Sequence, residues 1–313
     1  YTRETGAIVA MLLPFRMDFY RNMGYGYGSK LEEYRIPSLS LPKWEGPRLI
    51  RFLGPEDTEK MLECQKAFAG IYHGMVVKFE DEIRAMHADT RSKRIGCFAD
   101  GMLKGYAVYD LVSESPVNYT LNSIDIKELV YLDSDSLRAI LGFFREQADL
   151  AQIVTLRTGE EDFYHILPSA QDISGNYIDF GFLQTNVGAV GTMYKIVDPP
   201  AFVRATSHRQ FPAAELTAAF DYYDELAHED KTFAVSFKPS EDGCSSRWTE
   251  AGGADCDVRI KCCLADMSSL FMGSCRFSSM LRLGAFSLSD GSFCNILDDL
   301  FYCRQKPWTN TDY

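Results

Sequence analysis

The sequence predicts a mixed α/β protein, and three observations lead to this fold class. Near the start of the chain, an apolar run of strand length precedes a segment with helical periodicity. The middle of the chain predicts helices, a strand hairpin, a strand, a helix and a further strand, in that order. After residue 198, alternating strand patterns are mixed with short apolar helices. Proline-containing stretches at residues 37–47 and 198–200 separate these three regions.

The first region predicts a strand, a short helix and a second strand. Residues 7–13 form an apolar run that is long enough for a buried strand and short for a helix. Large side chains then recur at helical spacing over residues 15–23, which predicts one or two helical turns. Glycines at 24, 26 and 28 end this helix, and the tyrosines between them predict an extended segment. The prolines and serines of residues 37–47 predict a linker.

The second and third regions contain further predicted elements. Asp133 to Ser136 predicts a helix cap, and the apolar residues that follow recur on one helix face. The predicted elements of the second region are helices at 55–71 and 76–89, a hairpin at 95–111, a strand at 124–132, a helix at 133–148, a strand at 153–157 and a short helix at 163–167. Those of the third region are strands at 232–237 and 258–262 and helices at 265–271, 277–283 and 296–301.

Composition limits the classes of function. The chain has 313 residues, 46% hydrophobic and 24% charged, which is typical of a globular protein with two or three domains. Its net charge of −12 argues against nucleic-acid binding and suits the attraction of cationic small molecules. No apolar run approaches the length of a membrane span, and we expect no signal peptide before the first strand. We therefore expect no membrane partner.

Cysteine usage favours a reducing cytoplasm. The nine cysteines are an odd number, no Cys-x-x-Cys occurs, and the five histidines are scattered. A zinc site therefore has little support, and we expect no metal. Seven cysteines follow residue 240, which could indicate disulfides, but several stand among apolar residues in helix-like patterns. This context favours buried free thiols and a cytoplasmic location.

One stretch carries a resemblance to a known enzyme class. Asp18-Phe19-Tyr20-Arg21-Asn22-Met23-Gly24-Tyr25-Gly26 resembles the "Phe-Tyr-x-x-x-Gly-Tyr/Phe" element that closes a Gcn5-related N-acetyltransferase (GNAT) domain. A plain helix stop with aromatic core residues would explain the same nine residues. The order of segments and the last residues resemble the Eis (enhanced intracellular survival) family, most strongly at residues 14–36, 124–168 and 256–313.

This resemblance implies three domains. Residues 1–42 would be the C-terminal part of a catalytic GNAT domain with a linker, and residues 43–198 a degenerate GNAT-like domain. Residues 199–313 would form an α+β domain similar to sterol carrier proteins, which does not by itself indicate sterol binding.

No convincing phosphate-binding loop for coenzyme A is found in the sequence. GNAT domains hold the pyrophosphate with an Arg/Gln-x-x-Gly-x-Gly/Ala loop at a helix N-terminus. Residues 21–26 match this pattern, but they stand at the C-terminal end of a predicted helix, whereas the loop must precede a helix N-terminus. In the degenerate GNAT-like domain, Asp133 and Asp135 stand at the position of this loop, and their charges would repel a phosphate. We therefore expect no coenzyme A in the central domain. We also expect about one hundred further residues, with the loop, before Tyr1.

The resemblance implies roles for several residues in acetyl transfer. A tyrosine suits protonation of the leaving thiolate because its phenol is protonated at neutral pH. The family's tyrosine maps onto Tyr20, with Tyr25 and Tyr27 as local alternatives whose alternation suits packing in a strand. The residues expected to contact the acetyl-CoA arm are Leu13, Pro14, Phe15 and Phe19.

The family's general base is the α-carboxylate at the end of the chain. The resemblance maps this group onto Tyr313, and Asp312 would help to bind a cationic amine. The acidic-aromatic pair matches the usual family ending, although some members end in phenylalanine. A frayed tail is the alternative interpretation of the same residues.

Three functions remain open from the sequence. The first is an acetyl-CoA-dependent N-acetyltransferase for polycationic amines such as aminoglycosides, for which the resemblance implies a possible trimer or hexamer. The second is a non-catalytic protein that carries an apolar ligand in its last domain, where residues 267–280 are apolar. The third is an inactive fragment.

Overall fold

The computed structural model describes residues 6–241, 243–253 and 255–310. The strands are β1 (Val9–Leu12), β2 (Gly26–Tyr27), β3 (Lys30–Pro37), β4 (Leu49–Phe52), β5 (Lys93–Ala99), β6 (Met102–Ser113), β7 (Asn122–Tyr131), β8 (Ile153–Thr158), β9 (Tyr177–Asp179), β10 (Phe182–Leu183), β11 (Val187–Val190), β12 (Met193–Ile196), β13 (Phe211–Pro212), β14 (Leu216–Asp224), β15 (Glu229–Pro239), β16 (Ser245–Ala251), β17 (Val258–Cys263) and β18 (Ser287–Leu288). The α-helices are α1 (Met17–Arg21), α2 (Thr58–Ala69), α3 (Glu80–Ala88), α4 (Ser134–Glu146), α5 (Pro199–Ala205), α6 (Leu264–Phe271), α7 (Phe277–Arg282) and α8 (Cys294–Phe301).

The described chain divides into two compact units. The first contains residues 6–29 and 190–307, and the second contains residues 30–189 and 308–310. This division differs from the boundaries predicted after residues 42 and 198. Strand β3 pairs with β8, which places residues 30–37 in the second unit, whereas β12 pairs with β1 and β2 in the first. Strand pairing between distant segments sets the units, and the family assignment of three separate domains stays a prediction.

The second unit is built on a seven-stranded sheet. Its strand order is β11-β3-β8-β7-β6-β5-β4, and β7 and β8 run parallel. The β5–β6 turn is made by Asp100 and Gly101, both with positive φ, as a tight hairpin requires. The predicted hairpin is therefore confirmed. Strands β9 and β10 form a separate two-stranded sheet.

Helix α4 packs its apolar face against the strands of this sheet. Seven of its thirteen residues are buried, including Ile140, Leu141 and Phe144. Asp133 is its N-cap and accepts a hydrogen bond from the Ser136 amide at 2.7 Å. The predicted cap and apolar face are confirmed, and they explain why this helix begins where it does.

Residues 37–47, for which composition predicts a linker, form a connection that is packed within the second unit. Leu41 is fully buried, and Ser38 donates a hydrogen bond from Oγ to the Ala151 carbonyl at 2.7 Å. Arg145 of α4 donates to the Leu41 carbonyl at 2.7 Å. The prolines and serines thus belong to a packed connection whose polar groups are bonded, which composition alone does not distinguish from a flexible one.

The first unit has two sheets. Strand β12 lies between β1 and β2 in a three-stranded sheet, and the six-stranded sheet has the order β13-β16-β15-β14-β17-β18. Strands β14 and β17 are parallel neighbours. The core is strongly aromatic, and the Phe271 ring lies 5.1 Å from Phe220, 5.5 Å from Trp248 and 5.6 Å from Phe301.

Most predicted elements exist, and several strands were missed. Helices α6, α7 and α8 fall where the sequence predicts them, whereas β14 and β16 were not predicted.

All nine cysteines are free, with Cys64 and Cys97 buried and Cys244 exposed. Burial is therefore confirmed only for some of the thiols. Among the residues described, no helix combines the length and apolarity needed to cross a bilayer.

Candidate active site

The candidate site is built on residues 13–28, here called the Tyr20 segment. After β1 the chain turns at Pro14 and forms the five-residue helix α1, in which no residue is buried. The amide of Gly24 bonds to the Arg21 carbonyl at 2.9 Å, and the Tyr25 amide bonds to the Tyr20 carbonyl at 3.1 Å. Gly24 has φ of 87°, so it ends the helix in the left-handed conformation that glycine adopts without strain.

The ring of Tyr20 lies within a group of aromatic side chains. Its centroid is 5.4 Å from that of Phe15, 5.3 Å from Phe19 and 6.0 Å from Tyr25, each in an edge-on arrangement. Tyr20 itself is partly buried. Edge-on contacts of this kind are favourable and directional, so they favour this orientation of the Tyr20 ring.

The residues predicted to contact the acetyl-CoA arm give an apolar surface. Leu13, Phe15 and Phe19 are 45%, 78% and 46% exposed. Phe15 and Phe19 contact the Tyr20 ring, whereas Leu13 and Pro14 lie in the connection between β1 and α1. The structure therefore places two of the four predicted residues directly against Tyr20 and two beside them in the chain.

Neither position that resembles a phosphate loop fits a pyrophosphate. In the Arg21 to Gly26 stretch, the amides of Met23, Gly24 and Tyr25 are bonded to carbonyls of α1. At the start of α4, the carboxylates of Asp133 and Asp135 lie 3.1 Å and 3.7 Å from the Arg48 guanidinium. Burial raises the pKa of Asp133, but the Ser136 amide, the Ser136 side chain and Arg48 together lower it below its ordinary value. The carboxylate is thus charged at neutral pH and would repel a phosphate.

Tyr25 and Tyr27, the alternatives to Tyr20, have contacts that are typical of packing residues. Burial, and to a smaller extent Tyr20, raises the pKa of Tyr25. The Arg21 guanidinium lies 4.9 Å from the centroid of the Tyr27 ring, in a cation–π arrangement. Tyr27 belongs to β2, which agrees with the prediction of an extended segment there.

Sequence reasoning missed the residues that hold the Tyr20 segment in place. Arg21 donates to the Asp266 carboxylate at 2.9 Å, and Lys195 donates to the Met23 carbonyl at 2.7 Å. In the sequence, Arg21 stands out only as the first residue of the Arg-x-x-Gly-x-Gly match at residues 21–26, which is not a phosphate-binding loop. No sequence signal connects it to Asp266, because the two residues are 245 positions apart.

Two predicted site residues, Asp312 and Tyr313, lie outside the described residues. The chain just before them is placed in the second unit. Trp308 is 7% exposed, and its ring lies 5.5 Å from that of Tyr72. Thr309 Oγ1 accepts a hydrogen bond from the Val76 amide at 3.4 Å. Within the described ranges, no group of three His, Cys, Asp or Glu side chains is arranged as a metal site.

Comparison with known proteins supports the fold class. Residues 74–182 match the family described as an acetyltransferase (GNAT) domain. A comparison with curated protein sequences gives no significant match. The matched range lies in the second unit and does not include Tyr20.

Several solved structures share the fold along the whole chain. A GCN5-related N-acetyltransferase from Anabaena variabilis is 15% identical with a TM-score of 0.76, over 100% of this chain and 74% of that one. A probable N-acyltransferase from Enterococcus faecalis is 16% identical with a TM-score of 0.76, over 100% and 74%. Eis1 from Mycobacterium abscessus is 19% identical with a TM-score of 0.72, over 100% and 75%.

These likenesses, at low identity, establish the fold and leave the substrate open. The predicted α/β class is confirmed, and the predicted enzyme class agrees with the family match. Residues 74–182 match the acetyltransferase (GNAT) domain family, and the chain shares its fold with solved GCN5-related N-acetyltransferases.

Proposed function

We propose that this protein transfers an acetyl group from acetyl-CoA to an amine of a polycationic small molecule, with aminoglycosides as the model substrates. The observation that carries the proposal is the placement of Tyr20. Its ring is held among aromatic side chains and lies beside the exposed apolar surface of Phe15 and Phe19. The resemblance of residues 18–26 to a GNAT element, and the GNAT family match at residues 74–182 of the same chain, support acetyl transfer as the chemistry of that tyrosine.

The proposed chemistry assigns Tyr20 the role of general acid. The amine nitrogen attacks the thioester carbonyl carbon, the carbon–sulfur bond breaks, and the sulfur leaves with its electron pair. Tyr20 donates its phenolic proton to that sulfur, which avoids the release of a free thiolate. The proton lost by the amine passes to a base, for which the resemblance implies the α-carboxylate of Tyr313. That role, and substrate binding by Asp312, stay predictions.

The described residues fit the acetyl-bearing end of acetyl-CoA better than its pyrophosphate end. The apolar side chains of Leu13, Phe15 and Phe19 can contact the arm that carries the acetyl group. The two phosphate-like stretches described above do not fit the pyrophosphate. We therefore assign only the acetyl-bearing end to the Tyr20 segment, and we keep the prediction that the second unit binds no coenzyme A.

The charge of the chain supports a cationic acceptor. A net charge of −12 attracts polyamines and raises their association rate, most strongly at low ionic strength. The alternative, a carrier of apolar ligands, is not favoured. Met267 and Leu270 of the apolar tract are fully buried, and Phe271 packs against three aromatic rings of the core. A cytoplasmic location and assembly into trimers or hexamers stay predictions.

The test is acetyl transfer by the purified protein with acetyl-CoA and kanamycin A, followed by thiol release and by the mass of the product. We expect acetylated kanamycin and a loss of kcat of about 10²–10⁴-fold in Tyr20→Phe, because only the transferable proton is removed. The KM for acetyl-CoA should change little. Tyr223→Phe, at a 42% exposed tyrosine of the same unit, is the matched control and should keep its activity.

Three results would contradict parts of this proposal. An unchanged kcat in Tyr20→Phe would remove the assignment of the acid, and a loss of activity confined to Tyr25→Phe would transfer it to Tyr25. Absence of any thiol release with a range of polyamines would argue against amine acetylation by this chain.

A further inference from the structure

Helix α1 carries Tyr20 but has little packing of its own. It is five residues long and contains no buried residue. Isolated helices of this length are unstable in water. The helix therefore needs contacts from elsewhere in the first unit, and helix α6 supplies one of them through Arg21. All eight residues of α6 are buried.

An ion pair connects the two helices. Arg21 Nη2 lies 2.9 Å from Asp266 Oδ1, with side chains that are 29% and 10% exposed. Burial lowers the pKa of Arg21, but the hydrogen bond and charge of Asp266 raise it above its ordinary value. The guanidinium thus remains charged and contacts Asp266 on one side and the Tyr27 ring on the other.

Asp266 is itself held in place. Its Oδ2 accepts a hydrogen bond from Cys263 Sγ at 3.0 Å, and its amide donates to the same sulfur at 3.4 Å. Cys263 is the N-cap of α6. The carboxylate therefore has little freedom to follow Arg21 if α1 moves, so it acts as a fixed anchor.

Further contacts from α6 fix the chain that follows Tyr20. Ser268 Oγ donates to the Gly24 carbonyl at 3.3 Å, and Ser269 Oγ donates to the Tyr27 carbonyl at 2.9 Å. Gly26 lies so close to α6 that an added Cβ would be 2.1 Å from the Ala265 carbonyl oxygen. The backbone after α1 is thus located by α6, whereas the helix before it depends on the Arg21 ion pair.

We propose that Arg21 and Asp266 are positioning residues that set the orientation of Tyr20 for proton transfer. The inference rests on the proposed function. Adjacent residues of an α-helix point about 100° apart, so holding Arg21 against α6 fixes the direction in which Tyr20 points. Without the pair, α1 can rotate or unwind, and displacement of the hydroxyl by about 1 Å can cost about 10²-fold in rate.

The kinetic test compares Asp266→Asn in two backgrounds. In the wild-type background we expect kcat with kanamycin A to fall by about 10- to 100-fold, with little change in the KM for acetyl-CoA. In the Tyr20→Phe background the same substitution should have almost no further effect, because both changes remove one proton transfer. Arg21→Lys should keep more activity than Arg21→Gln. An equal loss of kcat in both backgrounds would overturn the proposal.

A second measurement does not depend on activity. Amide hydrogen exchange of residues 17–25 should accelerate by about tenfold or more in Asp266→Asn, with peptides of β14 and β15 unchanged. Unchanged exchange at residues 17–25 would also overturn the proposal. If Tyr20→Phe keeps full activity, the assignment of Tyr20 as the acid fails, and if no thiol is released at all, the proposed function fails. In both cases the exchange result still decides whether the ion pair orders α1.

A third measurement reports the local geometry through Cys263. Burial and the Asp266 hydrogen bond raise the pKa of this thiol to about 11. Removing the Asp266 carboxylate removes the acceptor that holds the proton on this sulfur, which favours the thiolate. Alkylation of the Cys263 peptide by iodoacetamide at pH 8 should accelerate in Asp266→Asn. Slower or equal alkylation would contradict the contact on which the proposal is built.

The matched control is Arg204→Gln. It breaks the Arg204–Glu250 pair of the same unit, whose atoms are 2.8 Å apart and whose side chains are 61% and 47% exposed. Exposed pairs contribute little to stability. We expect neither kcat nor the exchange of residues 17–25 to change. A loss comparable to that of Asp266→Asn would show that the effect is not specific to α1.

Discussion

Helices α4 and α1 each follow a β-strand, and they differ in how their residues are held. Helix α4 has thirteen residues, seven of them buried, and a side-chain cap at Asp133. Helix α1 has five residues, none buried, and no side-chain cap. The first is specified by its own apolar periodicity and cap. The second is ordered by residues of α6, about 240 positions later, and by Lys195.

The difference separates a helix that is stabilised by its own buried face from one that carries a proposed catalytic residue. A helix that buries its own face gains stability locally but leaves few side chains available to a substrate. Helix α1 keeps Phe19 and Met17 about half exposed and partly exposes Tyr20 as well. Its order must therefore come from polar contacts and close backbone packing outside the helix, and these contacts can be removed one at a time.

The largest expected effect is the truncation of a buried side chain in α4. Leu141 is fully buried, so Leu141→Ala should lower the free energy of unfolding by about 2–5 kcal/mol through lost burial and a residual cavity. Urea denaturation, monitored by hydrogen exchange of the α4 peptides, measures this loss of unfolding free energy. The matched variant Met17→Ala, at a 45% exposed position of α1, should stay within about 0.5 kcal/mol of wild type. Equal losses for both variants would remove the contrast between the helices.

An intermediate effect is expected where the backbone of the Tyr20 segment meets α6. In Gly26→Ala the new Cβ would be 2.1 Å from the Ala265 carbonyl oxygen and 2.7 Å from the Ser269 amide. Because both are backbone atoms, the segment must shift, at about 1–3 kcal/mol. Thermal denaturation and kcat should both decrease. Gly252→Ala, where an added Cβ meets no atom within 4 Å, is the control. A Gly26→Ala protein with normal stability and kcat would show that close packing on α6 is not required.

The smallest expected effect concerns the cap of α4. Asp133→Ala removes the acceptor of the Ser136 amide and should cost about 1 kcal/mol at pH 7. The pKa of Asp133 is lowered in the folded protein, so its contribution is present above the unfolded-state pKa. The contribution is lost as pH falls through the folded-state pKa. The difference between wild type and Asp133→Ala should therefore shrink in acid, as urea titrations at several pH values can measure. A difference that grows in acid would contradict the role of the charged cap.

The sequence by itself determined the elements with strong local signals. The period of the apolar residues in α4 and the turn at Asp100-Gly101 predicted these elements because each pattern is satisfied within a few residues. The Tyr20 segment was also predicted, since its glycines require a helix stop. Strand β16 was missed because its polar residues show little apolar alternation, and Trp248 is buried there only through distant partners.

Only the tertiary structure decided how distant segments combine. It paired β12 with β1 and β2, packed the proline-rich residues 37–47, and placed Asp266 against Arg21. None of these contacts has a local signature, because each depends on the free energy gained when two separated surfaces exclude water or pair their charges. The candidate proton donor was assigned by a family resemblance and stays a prediction, whereas the groups that contact its segment could be found only in the folded chain.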